Sequence, residues 1–562
     1  MSRGERVAIV GIGGIFPKSP DLASFWANVE RGVAATREVP PGRWLLDTFG
    51  AFDPRVGQPD HVYSTRGCFV EDFRLDPTGL DLDPETLDRL DPMFHLALHA
   101  GKMAWLDARM EGVDRSRIGV VFGNLVLPTE SASNIASATL GRTFEESLGF
   151  GSDLDAIEPF EPLNTRVAGL PAGLLAQAMG LGGGAYTIDA ACASSLYALK
   201  LASDELLEGR ADAMLTGGLS RPDPLYTQMG FSQLRALSPS GTASPFGASA
   251  DGLVVGEGAG MFVLKRLSDA IAAGDQIYGV IAGIGLSNDV DGGLLAPHSE
   301  GQLRAMRAAY DSSGWQPEDV DLIECHATGT PVGDAVEFAS LRSLWGDSTG
   351  NKGRCVIGSV KSNVGHALTA AGSAGLLKVL LALRSEVLPP TAGFGQPATG
   401  LKIDDSPFRI LKQSEPWPRR QEGQPRRVAL SGFGFGGINA HVLIEEWLGS
   451  VDSSQSAPSD PEPVAIVGMA AHFGPFEGLR AVQEYVLGGS NEVLPTEPSH
   501  WWGAEKSAWF ARTGLADRDW RSFRIDEVKL PTDRFRIPPK ELEEMLPQQS
   551  LLLRLAAEAI AD

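Results

Sequence analysis

Cysteine is scarce. The 562 residues hold four, Cys68, Cys192, Cys325 and Cys355, too few for a disulfide framework and with no C-x-x-C pair to begin a zinc site. A reducing, cytoplasmic compartment is the expectation. Basic residues are outnumbered, 48 Lys plus Arg against 71 Asp plus Glu, for a formal net charge of −23. A surface of that sign repels phosphate backbones and speaks against nucleic-acid binding. Long apolar runs are also wanting: the run in the N-terminal MSRGERVAIVGIGGIFPKSP is about half of what a bilayer crossing takes, and no small-residue cleavage site follows it. Neither secretion nor a membrane span is expected.

What the chain does have is length for a large core, and a repeat. VAIVGIGGIF at Val7 returns as VAIVGMAAHF at Val464, and the same spacing pairs Phe16 with Phe473, Leu22 with Leu479, Gly32 with Gly489 and Trp44 with Trp501. FRLD at Phe73 returns as FRID at Phe523, and Leu90-Asp91-Pro92 is echoed around Leu546-Pro547. Between the copies, residues 449–463 read GSVDSSQSAPSDPEP, too poor in apolar side chains to offset the entropy of ordering. The expected division is a full domain at 5–448, a flexible linker at 449–463 and an incomplete second copy at 464–562.

Within the first copy, VAIVGIG, RIGVVFG, AYTIDAA, ADAMLTGG, YGVIAGIG, DLIECHA, CVIGSV and HVLIEE read as buried strands separated by longer amphipathic stretches. SSLYALKLASDELLEG sets Leu196, Leu199 and Leu206 on one helix face with Gly209 as its stop. The class is α/β. The GIGGIF at Gly11 has Phe16 where a dinucleotide fingerprint needs its last glycine, and no acidic residue follows a second strand, so tight strand-to-loop packing is preferred over nucleotide binding.

Four segments carry residues suited to chemistry. Cys192, in YTIDAACASSLYALK, lies where a strand meets the helix. The positive helix end is expected to lower its pKa, and small neighbours leave room for substrate. His326 leaves a strand in DLIECHATGTPVGDAVE, and Lys361, Asn363 and His366 leave another in VIGSVKSNVGHALTAAG, which would bring two imidazoles over the thiol. Asp334 and Glu337, spaced i, i+3 on one helix face, fit a structural salt-bridge or capping role better than glycosyl chemistry. LSGFGFGGINAHVLIEE places Gly432, Gly434, Gly436 and Gly437 among Phe433 and Phe435. It is either a loop whose amides stabilise an oxyanion or a plain Gly-rich bend.

The DAACASS, ECHATGTPVGD, KSNVGH and GFGFGGINAHV motifs, with FGASADGLVVGEGAG from Phe246 and LPPT at Leu388, resemble the β-ketoacyl synthase domain of fatty acid and polyketide synthases over residues 5–448. The resemblance implies a thiolase-like layered α-β-α-β-α fold with two pseudo-equivalent halves, paired as a homodimer. It implies Cys192 as the acyl-accepting nucleophile, His326 and His366 as the pair acting on a malonyl group, and Lys361 as support for the second histidine. It further implies Thr328 and Thr330 on a pantetheine arm, Phe433 in the substrate pocket, and Phe435 as gate and second oxyanion amide. No cofactor is expected in the domain itself. Phosphopantetheine would arrive on a partner acyl carrier protein, and other synthase domains or subunits would be partners.

Departures from the family pattern at Gly247 and Ala327 fall on positions without chemistry. Gly375, a glutamate in many discrete bacterial synthases, suggests a domain of a multidomain enzyme. The second copy resembles the chain-length-factor domain that follows an active synthase in polyunsaturated fatty acid synthases. The alternatives are a thiolase, whose second cysteine Cys325 could supply only if it faced the site, and a non-catalytic scaffold or chain-length-setting subunit. Arg419, Arg420, Arg426 and Arg427 cluster before the GFGFGG loop, either to steer an acidic carrier or to balance nearby acids.

Overall fold

The computed structural model describes residues 5–562 other than 45, 111, 142–143, 145–147, 150–159, 291–296, 347–351, 450–462, 489–493, 497–513, 516, 532–533 and 536. It divides into two compact units, Arg3–Ile135 with Pro159–Ser456, and Ala136–Glu158 with Ala457–Asp562. Almost all of the expected linker lies outside the described residues.

The first unit lays down β1 (Val7–Ile15), β2 (Ile118–Gly123), β3 (Ala185–Ile188), β4 (Ala213–Ser220) and β5 (Gly258–Arg266). Then come β6 (Gly279–Asn288), β7 (Leu322–Glu324), β8 (Cys355–Gly358), β9 (Phe408–Arg409), β10 (Arg427–Gly434) and β11 (Ile438–Glu445). Hydrogen bonds join them in the order β9-β8-β7-β10-β11-β6-β1-β5-β4-β2-β3. Leaving β9 aside, this is one five-strand pattern written twice. β1 is followed by antiparallel β5, then β4, then parallel β2 and β3. β6 is followed by antiparallel β11, then β10, then parallel β7 and β8. The halves meet where β1 runs antiparallel to β6, Val7 against Ile281.

Helices fill three layers around these half-sheets, as parallel strands covered on both faces require. α2 (Ser194–Leu207) and α5 (Ala371–Ser385) each lead on from the third strand of their half and pack against one another. Leu196, Leu199 and Leu206 of α2 meet Leu376, Leu377 and Leu380 of α5 in the central core. α1 (Pro92–Asp107) covers the first half-sheet. α3 (Ser299–Ser313) and α4 (Pro331–Trp345) cover the second. This is the α-β-α-β-α layering with two equivalent halves. Against the expected lack of long apolar runs, helical residues Leu368–Ser385 are long and apolar enough to cross a bilayer, and 89% of the stretch is buried in the fold. A central helix packed on all sides needs no polar face.

Gly11 and Gly13 lie inside β1 rather than in a loop after it. A Cβ on Gly13 would stand 2.4 Å from the Ala100 carbonyl oxygen, and one on Gly11 2.5 Å from that of Ala104. The glycines thus let α1 lie directly on the strand, with no phosphate cradle involved. β3, expected to be buried, is an edge strand with Tyr186 37% exposed. β5 and β10 were not anticipated as strands, because their glycines hide the β-branched pattern.

In the second unit the repeated motif behaves differently. Residues 463–470 form no strand, and Val464, Ile466 and Val467 are 96%, 84% and 89% exposed. In the first unit β1 is paired on both edges by strands drawn from residues 258–288, whereas among the described residues of the second unit no strand pairs with residues 463–470. Among the described residues the second unit forms a His472–Phe473 and Phe476–Glu477 hairpin, helices Leu479–Gly488 and Pro547–Ala561, and a cluster of Phe476, Tyr485 and Phe523 rings.

Candidate active site

The C-terminal ends of β3, β7, β8 and β10 converge, the place where open α/β sheets hold their ligands. After β3 the chain makes a tight turn into α2, with Ala191 at φ +49°, a left-handed conformation that costs an alanine about 1–2 kcal/mol. Side chains hold the turn: the Ala190 amide donates to Ser194 Oγ at 2.8 Å, Ser194 Oγ donates to the Ala191 carbonyl at 2.6 Å, and the Ala191 amide donates to Asp189 Oδ1 at 2.9 Å. Cys192 is thereby projected between the strand ends. A Cβ on Gly434, at the tip of β10, would stand 3.0 Å from Ala191 Cβ and 3.2 Å from the Cys192 nitrogen. The close approach of the two segments needs glycine there.

His366 Nε2 lies 3.1 Å from Cys192 Sγ. The His326 ring meets that of His366 edge-on at 5.4 Å and that of Phe433 at 5.8 Å. The backbone amides of Phe435 and of Cys192 itself are directed at the sulfur. The Phe435 ring packs on Phe231 at 5.9 Å. Cys192, His326, His366, Thr328, Phe433 and Phe435 are among the walls of a cavity of about 260 Å³. Thr330 also lines it, its hydroxyl 3.0 Å from that of Thr328.

Electrostatics overturn one expectation. The Cys192 thiol is pushed up to about 11 by burial, with the Lys361 charge and the Phe435 amide pulling the other way. At 5% exposure the cost of a buried anion exceeds what a helix beginning two residues later returns. Burial also drives His326 and His366 well below the usual imidazole range, with the Lys361 cation adding to the effect. Both rings are therefore neutral at pH 7. His366 Nδ1 has no hydrogen-bond partner; its ring is held by its backbone, the amide donating to the Val254 carbonyl and the carbonyl accepting from Gly256.

Asp334 and Glu337 act on the backbone of the His326 loop. Glu337 takes the amides of His326 and Ala327 at 2.8 and 2.7 Å. Asp334 takes those of Thr328, Gly329 and Phe246 at 3.1, 3.2 and 2.7 Å. They cap the loop, as their spacing suggested, without forming a salt bridge. Cys325 points away from the cavity into the apolar core with Met306 and Phe338, so it offers no thiolase-type base. The arginine cluster is not a free basic patch. Arg419 pairs with Glu446, Arg420 with Asp321, Arg426 with Glu386 and Glu446, and Arg427 with Asp319. Among the described residues no group of three or more His, Cys, Asp or Glu is placed to hold a metal ion.

The family model described as the β-ketoacyl synthase N-terminal domain matches residues 4–270 and again 461–562, and the corresponding C-terminal domain matches 278–395. The chain belongs to the β-ketoacyl synthase family. One of the polyunsaturated fatty acid synthase subunits of a Thraustochytrium species is 31% identical over 99% of this chain and 27% of its own length. The polyketide synthase PksL of Bacillus subtilis is 33% identical over 79% of this chain and 9% of its own. This ketosynthase chain thus spans about a quarter or less of those relatives. Among solved structures, the PfaC keto synthase-chain length factor superimposes with a TM-score of 0.89 at 34% identity, over 99% of this chain and 60% of that one. A ketosynthase from module 6 of the bacillaene synthase of Bacillus subtilis gives 0.68 at 32% identity, over 79% and 72%. The fold is the thiolase-like fold of ketosynthases.

Proposed function

We propose that residues 5–448 form a β-ketoacyl-[acyl carrier protein] synthase domain that extends an acyl chain by decarboxylative Claisen condensation. The observation that carries this reading is one buried thiol with His366 Nε2 at 3.1 Å, His326 edge-on behind it and two backbone amides on the sulfur.

In the first half-reaction the Cys192 sulfur attacks a carrier-bound thioester. Its proton moves toward His366 Nε2, the neighbouring acceptor, and ends on the departing pantetheine thiol. The tetrahedral oxyanion falls to the amides of Cys192 and Phe435. Malonyl-carrier then enters past Thr328 and Thr330, whose hydroxyls suit the amides of a pantetheine arm. Two neutral imidazoles each have an N–H to donate to the thioester oxygen. As the C–C bond to the carboxylate breaks and carbon dioxide leaves, they hold the enolate. Its carbon attacks the acyl-Cys192 carbonyl and the Cys192 thiolate is expelled, taking up a proton from water to restore the thiol. Burial, reinforced by the Lys361 charge, keeps both rings neutral and therefore donors. Phe433 packs on His326, and Phe435 gates the cavity.

In this reading the domain binds no cofactor of its own, and acyl- and malonyl-loaded carrier proteins are its partners. It pairs as a homodimer or with other synthase domains, in a reducing cytoplasm that suits four free thiols. Residues 464–562 would begin a chain-length-factor-like copy beyond the 449–463 linker. The likeness to a keto synthase-chain length factor favours that assignment for the second copy, and Cys192 argues against a non-catalytic role for the first. Incubation with acyl-carrier should add one acyl mass to the Cys192 peptide, which malonyl-carrier then discharges. An unmodified Cys192 would refute the reading.

A further inference from the structure

The steps above leave Glu324 and Lys378 without a role. Yet Lys378 Nζ lies 2.6 Å from Glu324 Oε2 and both side chains are 1% exposed. Burying two opposite charges seldom stabilises a fold by itself, so the contacts they make are informative. The other oxygen, Oε1, accepts the Val360 amide at 2.6 Å, and Val360 is the residue just before Lys361. Glu324 ends β7, two residues ahead of His326, while Lys378 stands on α5, which follows the His366 loop. α5 leaves room for the carboxylate: a Cβ on Gly375 would stand 3.0 Å from Glu324 Cγ. One side chain therefore ties together the strand that carries His326, the turn that carries Lys361 and the helix behind both.

The groups facing Lys361 are Glu324 and Cys325 from the end of β7, Glu337 and Asp334 from α4, Cys192 before α2, and the two histidines. Burial works against its charge, and Glu324 is the largest opposing influence. We propose that Glu324, clamped by Lys378, is a positioning residue that keeps Lys361 cationic beside the thiol and the paired histidines. Its catalytic consequence rests on the ketosynthase reading, but the charge on Lys361 can be measured without it.

Alkylation of Cys192 by iodoacetamide, followed on its peptide by mass spectrometry from about pH 7 to 11 in the full chain, reads the thiolate directly. In Glu324→Gln, Lys361 gives up its proton at lower pH. The Cys192 profile should then move up by about one unit, roughly tenfold slower alkylation at a given pH below the midpoint. Because the single variant strands the Lys378 cation, Glu324→Gln/Lys378→Met removes both charges and decides the matter if the single variant does not fold. Its profile should move in the same direction. The rate at which acyl-carrier acylates Cys192 should move with the alkylation profile over the same range in both variants. Profiles that superimpose on the parent, at any level of activity, overturn the proposal. So does loss of folded protein in both variants, which would make the pair a structural brace. A parent chain that does not decarboxylate malonyl-carrier sinks the ketosynthase reading and leaves the alkylation result standing.

Discussion

Decarboxylation and condensation make different demands on the site, and substitution should separate them. On the proposed mechanism, releasing carbon dioxide from bound malonyl-carrier would need His326 and His366 to hold an enolate, but no bond to Cys192. With the rings in edge contact at 5.4 Å and both neutral, each would supply one preorganised donor. The loss of one such donor typically costs about 10²–10³ in rate, or ~3–4 kcal/mol. His326→Ala and His366→Ala should each suppress decarboxylation by roughly that factor. The double variant should fall well short of the product of the two, since both donors serve one oxygen. Cys192→Ser should abolish ketoacyl product while measurable decarboxylation persists. The assay is carbon dioxide release and product formation in parallel for each variant. Histidine variants that decarboxylate at the parent rate, or a Cys192→Ser variant that condenses, would refute this division of roles.

Gly13→Ala should lower the thermal midpoint by the equivalent of about 1–3 kcal/mol, because its Cβ has no space against α1. An unchanged midpoint would mean the strand and helix are not in that contact. Charge reversal at Arg419 and Arg420 should leave carrier affinity and its salt dependence unaltered, since their guanidinium groups already serve Glu446 and Asp321. A salt-sensitive loss of affinity would restore the docking idea. Stability should fall as pH rises from about 9. The thiols of Cys68 and Cys192 are raised to about 12 and about 11, and those of Cys325 and Cys355 well above the usual range. Over that window the folded chain keeps protons the unfolded chain has lost, while Lys361, shifted down, opposes them singly. A flat urea midpoint between pH 9 and 11 would contradict this. Limited proteolysis should cut between Ser450 and Pro463, where apolar side chains are few, and leave a core starting near residue 5. Protection there with cleavage inside the first copy would contradict it.

The positions of Cys192, His326, Lys361 and His366 could be anticipated because each leaves the end of a strand with a strong local pattern; parallel strands gather those ends within each half, and the packing of the two halves sets Cys192 of one against the histidines of the other. The lowered thiol pKa could not have been judged the same way. It depends on how deeply the sulfur is buried and on what lies over it, and those contacts come from β10 and the His366 loop, more than 170 positions away in the chain. β5 and β10 escaped notice for a related reason: glycines at 258, 260, 432 and 434 weaken a strand signal read from β-branched residues. The structure needs them, because Phe16, Ser373, Leu377, Leu196 and the Cys192 turn press directly against the backbone.

The two copies of VAIVG carry this point furthest. Identical five-residue sequences form a fully buried central strand at Val7 and an exposed, unpaired segment at Val464. Local sequence therefore does not suffice to make this strand. β1 exists because β5 and β6, drawn from more than 250 residues downstream, satisfy its backbone on both edges and α1 covers its glycines. An apolar strand without those neighbours gains neither hydrogen bonds nor burial. The same dependence governs the site, since β1 and β6 form the seam on which both half-sheets are hung. Any substitution that loosens that seam should shift the strand ends bearing Cys192 and the histidines together, lowering both half-reactions in parallel.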